Sequence, residues 1–248
     1  MIHPFFHVPH DGALFPEELM GSVCIPRLEF LHCHELMRDR DVWKMVPDRF
    51  RDREHLIRFP VSRLLCDVER FIGPQEIMER YGMGFCYERA YDGRRIKHLS
   101  SELLARTKVY YDRHHRLLDA CCMAHENVLL IDLHSFSDEI VPQSFLSPDR
   151  STPDVCIGTE SAYSDPRLIA IAEQVFRDSG FTTALNYPYF GCMIPNCVLS
   201  GRFSGSFRSL MLEFNRRIYC PDGHSDDRSI ARLRALIDAI LFQFEAFL

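Results

Sequence analysis

The chain has 248 residues, 46% apolar, 26% charged and 12% aromatic, enough to bury one full core, which excludes a disordered chain and a disulfide-stapled miniprotein. Its formal charge of -6, from 35 acidic and 29 basic side chains, supplies no surplus positive field, so nucleic acid is not expected as a partner. No apolar stretch approaches the roughly 20 residues of a bilayer span and no signal-like leader opens the chain, so a cytoplasmic protein without membrane contact is expected.

The first strand is expected at Phe5 to Val8, running into the turn Pro9-His10-Asp11-Gly12, where Gly12 allows a sharp bend beside His10; His7 reads as a surface residue. Apolar residues recur at helical spacing from Arg27 through Val46, and Arg63 to Cys66 has strand character. Ser100-Ser101-Glu102 opens a long helix whose stripe runs through Leu103, Thr107, Tyr110, His114, Leu117 and Cys121, widened by Leu104, Tyr111 and Leu118. The run Val128 to Leu133 then reads as a central strand ending in His134-Ser135, with Asp132 on the face of His134 and close enough to orient a neighbour.

A strand at Asp154 to Ile157 is followed by a helix with Asp165 as N-cap, Pro166 in its first turn and Gly180 as its stop. Further strands are expected at Thr182 to Leu185 and Ser209 to Phe214, a mobile loop at Gly201 to Gly205, and a last helix from about Asp227 to the C-terminus. Helices alternating with short apolar strands predict an α/β sandwich on a mixed, mostly parallel sheet, as a single domain over residues 1–248. The ten cysteines are scattered without a Cys-x-x-Cys pair and read as buried thiols of a reducing compartment, so a metal would have to use histidines and carboxylates.

Functional groups of an open α/β sheet collect where its strands end. His10 and His134 both sit at such ends, and two histidines on separate strands suit a zinc site that also needs one carboxylate and an open position for water. His32-Cys33-His34 imitates the His-x-His of binuclear barrel amidohydrolases, but its helical surroundings and the chain length argue against that barrel. Two histidines and a carboxylate also describe the iron oxygenase triad, whose usual all-β scaffold does not match three helices.

Pro9-His10-Asp11-Gly12, Val61-Ser62-Arg63-Leu64-Leu65-Cys66-Asp67-Val68-Glu69-Arg70, Asp132-Leu133-His134-Ser135, Asn186-Tyr187-Pro188-Tyr189-Phe190-Gly191 and Leu212-Glu213-Phe214-Asn215-Arg216-Arg217-Ile218-Tyr219 resemble, in order, the motifs of the N-formylglutamate amidohydrolase family. That resemblance implies a three-layer α/β/α fold distantly like the zinc carboxypeptidases and aspartoacylases. It implies one zinc per chain on His10, His134 and Asp39, with Asp41 as the alternative carboxylate one register step away. It makes Glu213 the general base and assigns Arg63, Arg70 and Asn186 to the substrate's carboxylate end, with Gly191 and Arg216 also facing substrate.

The implied reaction is hydrolysis of the amide of a small N-formyl or N-acyl amino acid, by a monomer or small homo-oligomer. A non-catalytic relative that binds an amino-acid-like ligand, and a carboxypeptidase- or aspartoacylase-like hydrolase with another substrate, are the alternatives. One departure bears on specificity: Glu69 stands where the family usually has Asn, adding negative charge beside Arg70.

Overall fold

The computed structural model describes residues 2–141, 146–147 and 150–246. Its contacts divide the chain into two compact units: a sheet unit of Met1–Val8, Arg40–Ile57 and Asp119–Leu248, and a loop unit of Pro9–Asp39 and Arg58–Leu118.

Six strands form one sheet: β1 (His3–Val8), β2 (Leu56–Arg58), β3 (Asn127–Phe136), β4 (Val155–Gly158), β5 (Thr183–Leu185) and β6 (Ser206–Asn215), in the order β2-β1-β3-β6-β4-β5. β1, β3 and β6 run parallel, β4 is antiparallel to β6, and β5 is parallel to β4. The fold is therefore α/β on a mixed, mostly parallel sheet. From Val128 onward β3 is buried throughout, which is why it reads as a continuous apolar run.

Alternation sorts that run into two faces. Leu129, Ile131 and Leu133 of β3 join Phe6 and Val8 of β1 and Leu210, Leu212 and Phe214 of β6 in one apolar cluster. Two helices cover it, α3 (Pro166–Asp178) and α5 (Asp227–Glu245), and the one-turn α4 (Asn196–Leu199) lies between them in the chain. In α3 the Asp165 carboxylate caps the Arg167 N–H. The Phe181 N–H returns to the Phe176 carbonyl across Gly180, which takes φ 85°. In α5 the Asp226 cap accepts from the Ser229 N–H, and Ile230, Leu233, Ile237, Ile240, Leu241 and Phe244 are buried, each contributing about 1.5–3 kcal/mol. Residues 247–248 of that expected helix lie outside the described residues.

The loop unit holds α1 (Arg27–Met37) and the part of α2 (Ser101–Met123) up to Leu118. The rest is turns around a small cluster of Leu65, Cys66, Val68, Cys86 and Leu103. Polar groups fill much of its interior. Lys97 is fully buried and donates to the Leu64 carbonyl and, at 3.4 Å, to Cys86 Sγ, and burial pushes its pKa down. Gly12 is needed where three backbone atoms, Phe59 O, Pro60 C and Val61 O, would each lie 2.5 Å from a Cβ.

Four expectations are corrected. Arg63 to Cys66 is a turn and not a strand, because the Ser62 carbonyl accepts from the Leu65 and Cys66 N–H groups and its hydroxyl accepts from Leu64 N–H. The helix from Arg27 ends at Met37, and the chain passes through Asp41 at φ 60° into a short 3-10 turn, Val42–Met45. Leu117, expected in the stripe of α2, is exposed, while Leu103, Thr107, His114 and Leu118 are buried. His7 is fully buried and not a surface residue.

All ten cysteines are free thiols, with Cys24 exposed, Cys121 and Cys192 half-buried and the rest buried. Among the described residues no helix is long and apolar enough to cross a membrane.

Candidate active site

In the sheet unit the face of β3 opposite the apolar cluster carries Asp132 and His134. Parallel register sets His7 of β1 beside Asp132, and Glu213 of β6 beside His134. All four are buried. Asp132 is the hub: one carboxylate oxygen lies 2.8 Å from His7 Nδ1 and 3.1 Å from His134 Nε2, and the other accepts from the Met193 N–H at 2.9 Å. Burial alone would raise this carboxyl, but the two imidazoles outweigh it and hold Asp132 well below the usual carboxylate range. A carboxylate fixed in this way holds a hydrogen bond to His7 and stands within ion-pair distance of His134, a carboxylate–imidazole contact of the kind metal-binding histidines commonly show.

In the loop unit His10 and Asp39 are almost fully buried and tied together, since the Asp39 N–H donates to the His10 carbonyl at 3.0 Å. His10 Nε2 is 2.8 Å from Asp67 Oδ1, and its Nδ1 faces Asp39 Oδ2 at 3.6 Å. That second spacing is close to the roughly 3.3 Å edge of a tetrahedral zinc site with bonds of about 2.0 Å. Burial and Arg63 push His10 down, yet Asp67 and Asp39 more than offset them and its pKa is raised. An imidazole held by two carboxylates is a place that favours a cation, which a metal ion can supply in place of a proton.

Asp67 is the hub of this unit. Its second oxygen accepts from Arg63 Nη2 at 3.0 Å and from the Tyr87 hydroxyl at 2.7 Å, with Arg70 Nε 3.6 Å away, and its first also accepts from the Glu69 N–H at 3.1 Å. Burial would raise the Asp67 carboxyl; His10, Arg70 and Arg63 outweigh burial and hold it well below the usual range. Arg63 also lies 3.9 Å from Asp39 and donates to the Met37 carbonyl.

The remaining expected residues are placed as follows. Asp41 lies in the sheet unit with its carboxylate 3.3 Å from Lys44 Nζ, so of the two candidate carboxylates Asp39 is the one beside His10. Asn186, at φ 51°, spends both arms of its amide on Thr159, accepting from the Thr159 N–H and donating to its hydroxyl, each at 2.8 Å. Gly191, at φ 84°, passes close to Gly158, where a Cβ would stand 2.2 Å from the Gly191 carbonyl oxygen. Arg216 begins the turn after β6 with its Nε 3.3 Å from Ser135 Oγ. Of the His-x-His pair on α1, His32 is exposed and His34 is buried against Ser62 Oγ at 2.9 Å, a helical position and not the strand end a barrel site requires.

His7, Asp67 and Tyr87 were not foreseen as site residues. His7 carried a local signal, its alternation with Phe6 and Val8. Asp67 carried a weaker one, its spacing four and three residues from Arg63 and Arg70, whereas nothing local marks Tyr87.

Buried histidines and carboxylates gathered near the strand ends of a mixed, mostly parallel sheet define the class: an α/β protein whose His, Glu and Asp side chains could hold a metal ion. The family model described as N-formylglutamate amidohydrolase matches residues 4–220, and the chain belongs to that family. It is similar to the crystal structure of an N-formylglutamate amidohydrolase from Ralstonia eutropha, at 18% identity and TM-score 0.76 over 98% of this chain and 92% of that one. It is also similar to a gene product of Agrobacterium tumefaciens, at 17% identity and TM-score 0.60 over 97% of this chain and 91% of that one. At these identities the structural likeness speaks to the fold. No curated protein matches the chain significantly.

Proposed function

We propose that the protein is a metal-dependent amidohydrolase that cleaves the amide of a small N-formyl or N-acyl amino acid, with one zinc per chain held by His10, Asp39 and His134. The observation that carries this reading is the pairing of His134 with Glu213 across β3 and β6, which puts a buried imidazole beside a buried carboxylate on rigid strands. The His10–Asp39 spacing and membership of an amidohydrolase family support it.

When bound, zinc would polarise the acyl carbonyl and acidify water. The chain's own residues do the rest. Glu213 accepts a proton from the attacking water and delivers it to the departing nitrogen, so that the amine leaves neutral. Asp132 stands beside His134 as an ionised partner, and Asp67 keeps His10 in one tautomer. Asp67 also grips one edge of the Arg63 and Arg70 guanidiniums, so that each fork meets the substrate carboxylate already oriented. Arg216 stays on the substrate side of this reading, whereas we assign Asn186 and Gly191 to shaping the loop after β5.

The test is metal content together with turnover. Purified protein should hold about one zinc per chain and release amine from N-formyl amino acids, and His10→Ala or His134→Ala should empty the site. Glu213→Gln should keep the zinc while turnover falls by roughly 10²-fold or more. Full zinc in both histidine variants, or undiminished turnover in Glu213→Gln, would reject the assignment.

A further inference from the structure

Two arginines border Asp67 in the loop unit, and they are held differently. Arg70 is half-buried with its Nε 3.6 Å from Asp67 Oδ2, an ion pair too long for a hydrogen bond. Arg63 is gripped at several points. Its Nη2 donates to Asp67 Oδ2 at 3.0 Å and to the Tyr87 hydroxyl at 3.1 Å, its Nη1 donates to the Met37 carbonyl at 3.3 Å, and its guanidinium carbon stands 5.8 Å from the centre of the Tyr87 ring.

Asp67 alone gives Arg63 no direction, because a guanidinium can swing about a single N–H···O bond. A second acceptor on the same nitrogen and an aromatic face alongside fix its plane, and Tyr87 supplies both. Tyr87 is almost fully buried, and its hydroxyl donates to Asp67 Oδ2 at 2.7 Å while accepting from Arg63. Burial pushes its pKa up, so it keeps the proton that this donation needs. The segment carrying it is tied to the same turn, since the Asp67 N–H donates to the Phe85 carbonyl at 2.8 Å. A metal ion on His10 would act on the other oxygen of Asp67: His10 meets Oδ1, whereas Tyr87 and Arg63 share Oδ2. With these bonds made, the buried Nε of Arg63 and that of Arg70 have no hydrogen-bond acceptor among the described residues, so each arginine keeps an N–H for a ligand.

We propose that Tyr87 is a positioning residue for substrate recognition: it holds Arg63 in one orientation, so that this guanidinium meets the carboxylate of the N-acyl amino acid already aimed, while Arg70 adjusts to the bound group. This rests on the hydrolase reading above and adds to it a residue that acts through Arg63.

The experiment compares N-formyl-L-glutamate with its bis-carboxamide, which carries no carboxylate, on the zinc-loaded parent and on Tyr87→Phe, which keeps the ring and removes the hydroxyl. The variant should raise KM for the glutamate compound by about tenfold, with kcat and zinc per chain little changed, and leave KM for the carboxamide where the parent has it. In an Arg63→Leu background the same substitution should change neither. An unaltered KM, equal losses on the two compounds, a fall in kcat alone, or loss of zinc overturns the proposal. Arginine side-chain NMR on the parent decides it even if the variant fails to fold: rotation about the Nε–Cζ bond should be slow for Arg63 and fast for Arg70, and equal rates overturn it. Calorimetric titration with the glutamate compound separates this inference from the reading beneath it. If the parent hydrolyses neither compound but binds the glutamate one more tightly than Tyr87→Phe does, the hydrolase reading falls and Tyr87 keeps its role; equal or undetectable binding removes that role.

Discussion

Each unit is organised around one buried aspartate, and the two differ in what surrounds it. Asp132 lies on a central strand between two histidines, with a backbone N–H completing its contacts. Asp67 lies on a turn with one histidine, one tyrosine and two arginines. A histidine can give up its proton when a partner is lost, but an arginine cannot. The sheet unit can therefore discharge a disturbance, whereas the loop unit, with its small apolar cluster and its buried Lys97, depends on its ionic partners staying in place.

The sharpest way to break this comparison is to remove each hub. Asp67→Ala leaves two guanidiniums without their shared carboxylate and should cost about 3–5 kcal/mol in urea denaturation. Asp132→Ala, which takes a partner from two histidines and strands no guanidinium, should cost only about 1–3 kcal/mol. Equal losses would show that the partners' chemistry does not matter.

A smaller effect is expected where backbone meets backbone. Gly158→Ala drives a methyl against the Gly191 carbonyl and Met211, and Gly12→Ala drives one against the chain at Phe59 to Val61; each should cost about 1–3 kcal/mol or somewhat more. The two should part in function, since Gly12 stands two residues from His10 and Gly158 does not. Gly12→Ala should lower zinc affinity, and Gly158→Ala should leave it intact, as metal titration would read.

The smallest effects are pH-dependent and differ in sign. Asp67 and Asp132 are both held below their ordinary range. Their contribution is therefore whole above about pH 4 and lost as pH falls through the depressed folded values. His10 is raised, so its contribution in metal-free protein is whole below about pH 6.5 and lost as pH rises through its folded value. Chemical denaturation across pH should show the metal-free chain weakening on the alkaline side and zinc removing that slope; a flat profile without zinc would contradict the charge balance around His10.

The sequence was most legible where chemistry and periodicity coincide. β3 announces itself because an apolar run is interrupted only by Asp132 and His134, two residues apart and so on one face. The caps at Asp165 and Asp226 come from local bonds to nearby N–H groups, so the first could be read from order alone. The turn at Arg63 to Cys66 was not readable as such, because Ser62 bends a strand-like composition with bonds that the apolar pattern does not encode. β2 is only three residues long, too short for any period to show. The hub at Asp67 joins residues 57 and 20 positions away, and the pairing of His134 with Glu213 depends on a sheet register set by the whole fold. Motif resemblance reached Glu213 and His10 without that register; it gave no hint of Tyr87 or of the buried His7.

The ten thiols lend themselves to chemical tagging. Burial pushes Cys192 up to about 12 and Cys121 up to about 11, so at pH 8 neither forms much of the reactive thiolate. Cys24 is exposed, and its thiol donates to the Arg95 carbonyl at a long 3.7 Å. A maleimide dye added to the folded protein should therefore attach at Cys24, within the loop unit. That single fluorophore would report the melting of this unit separately from the sheet, without a residue being changed.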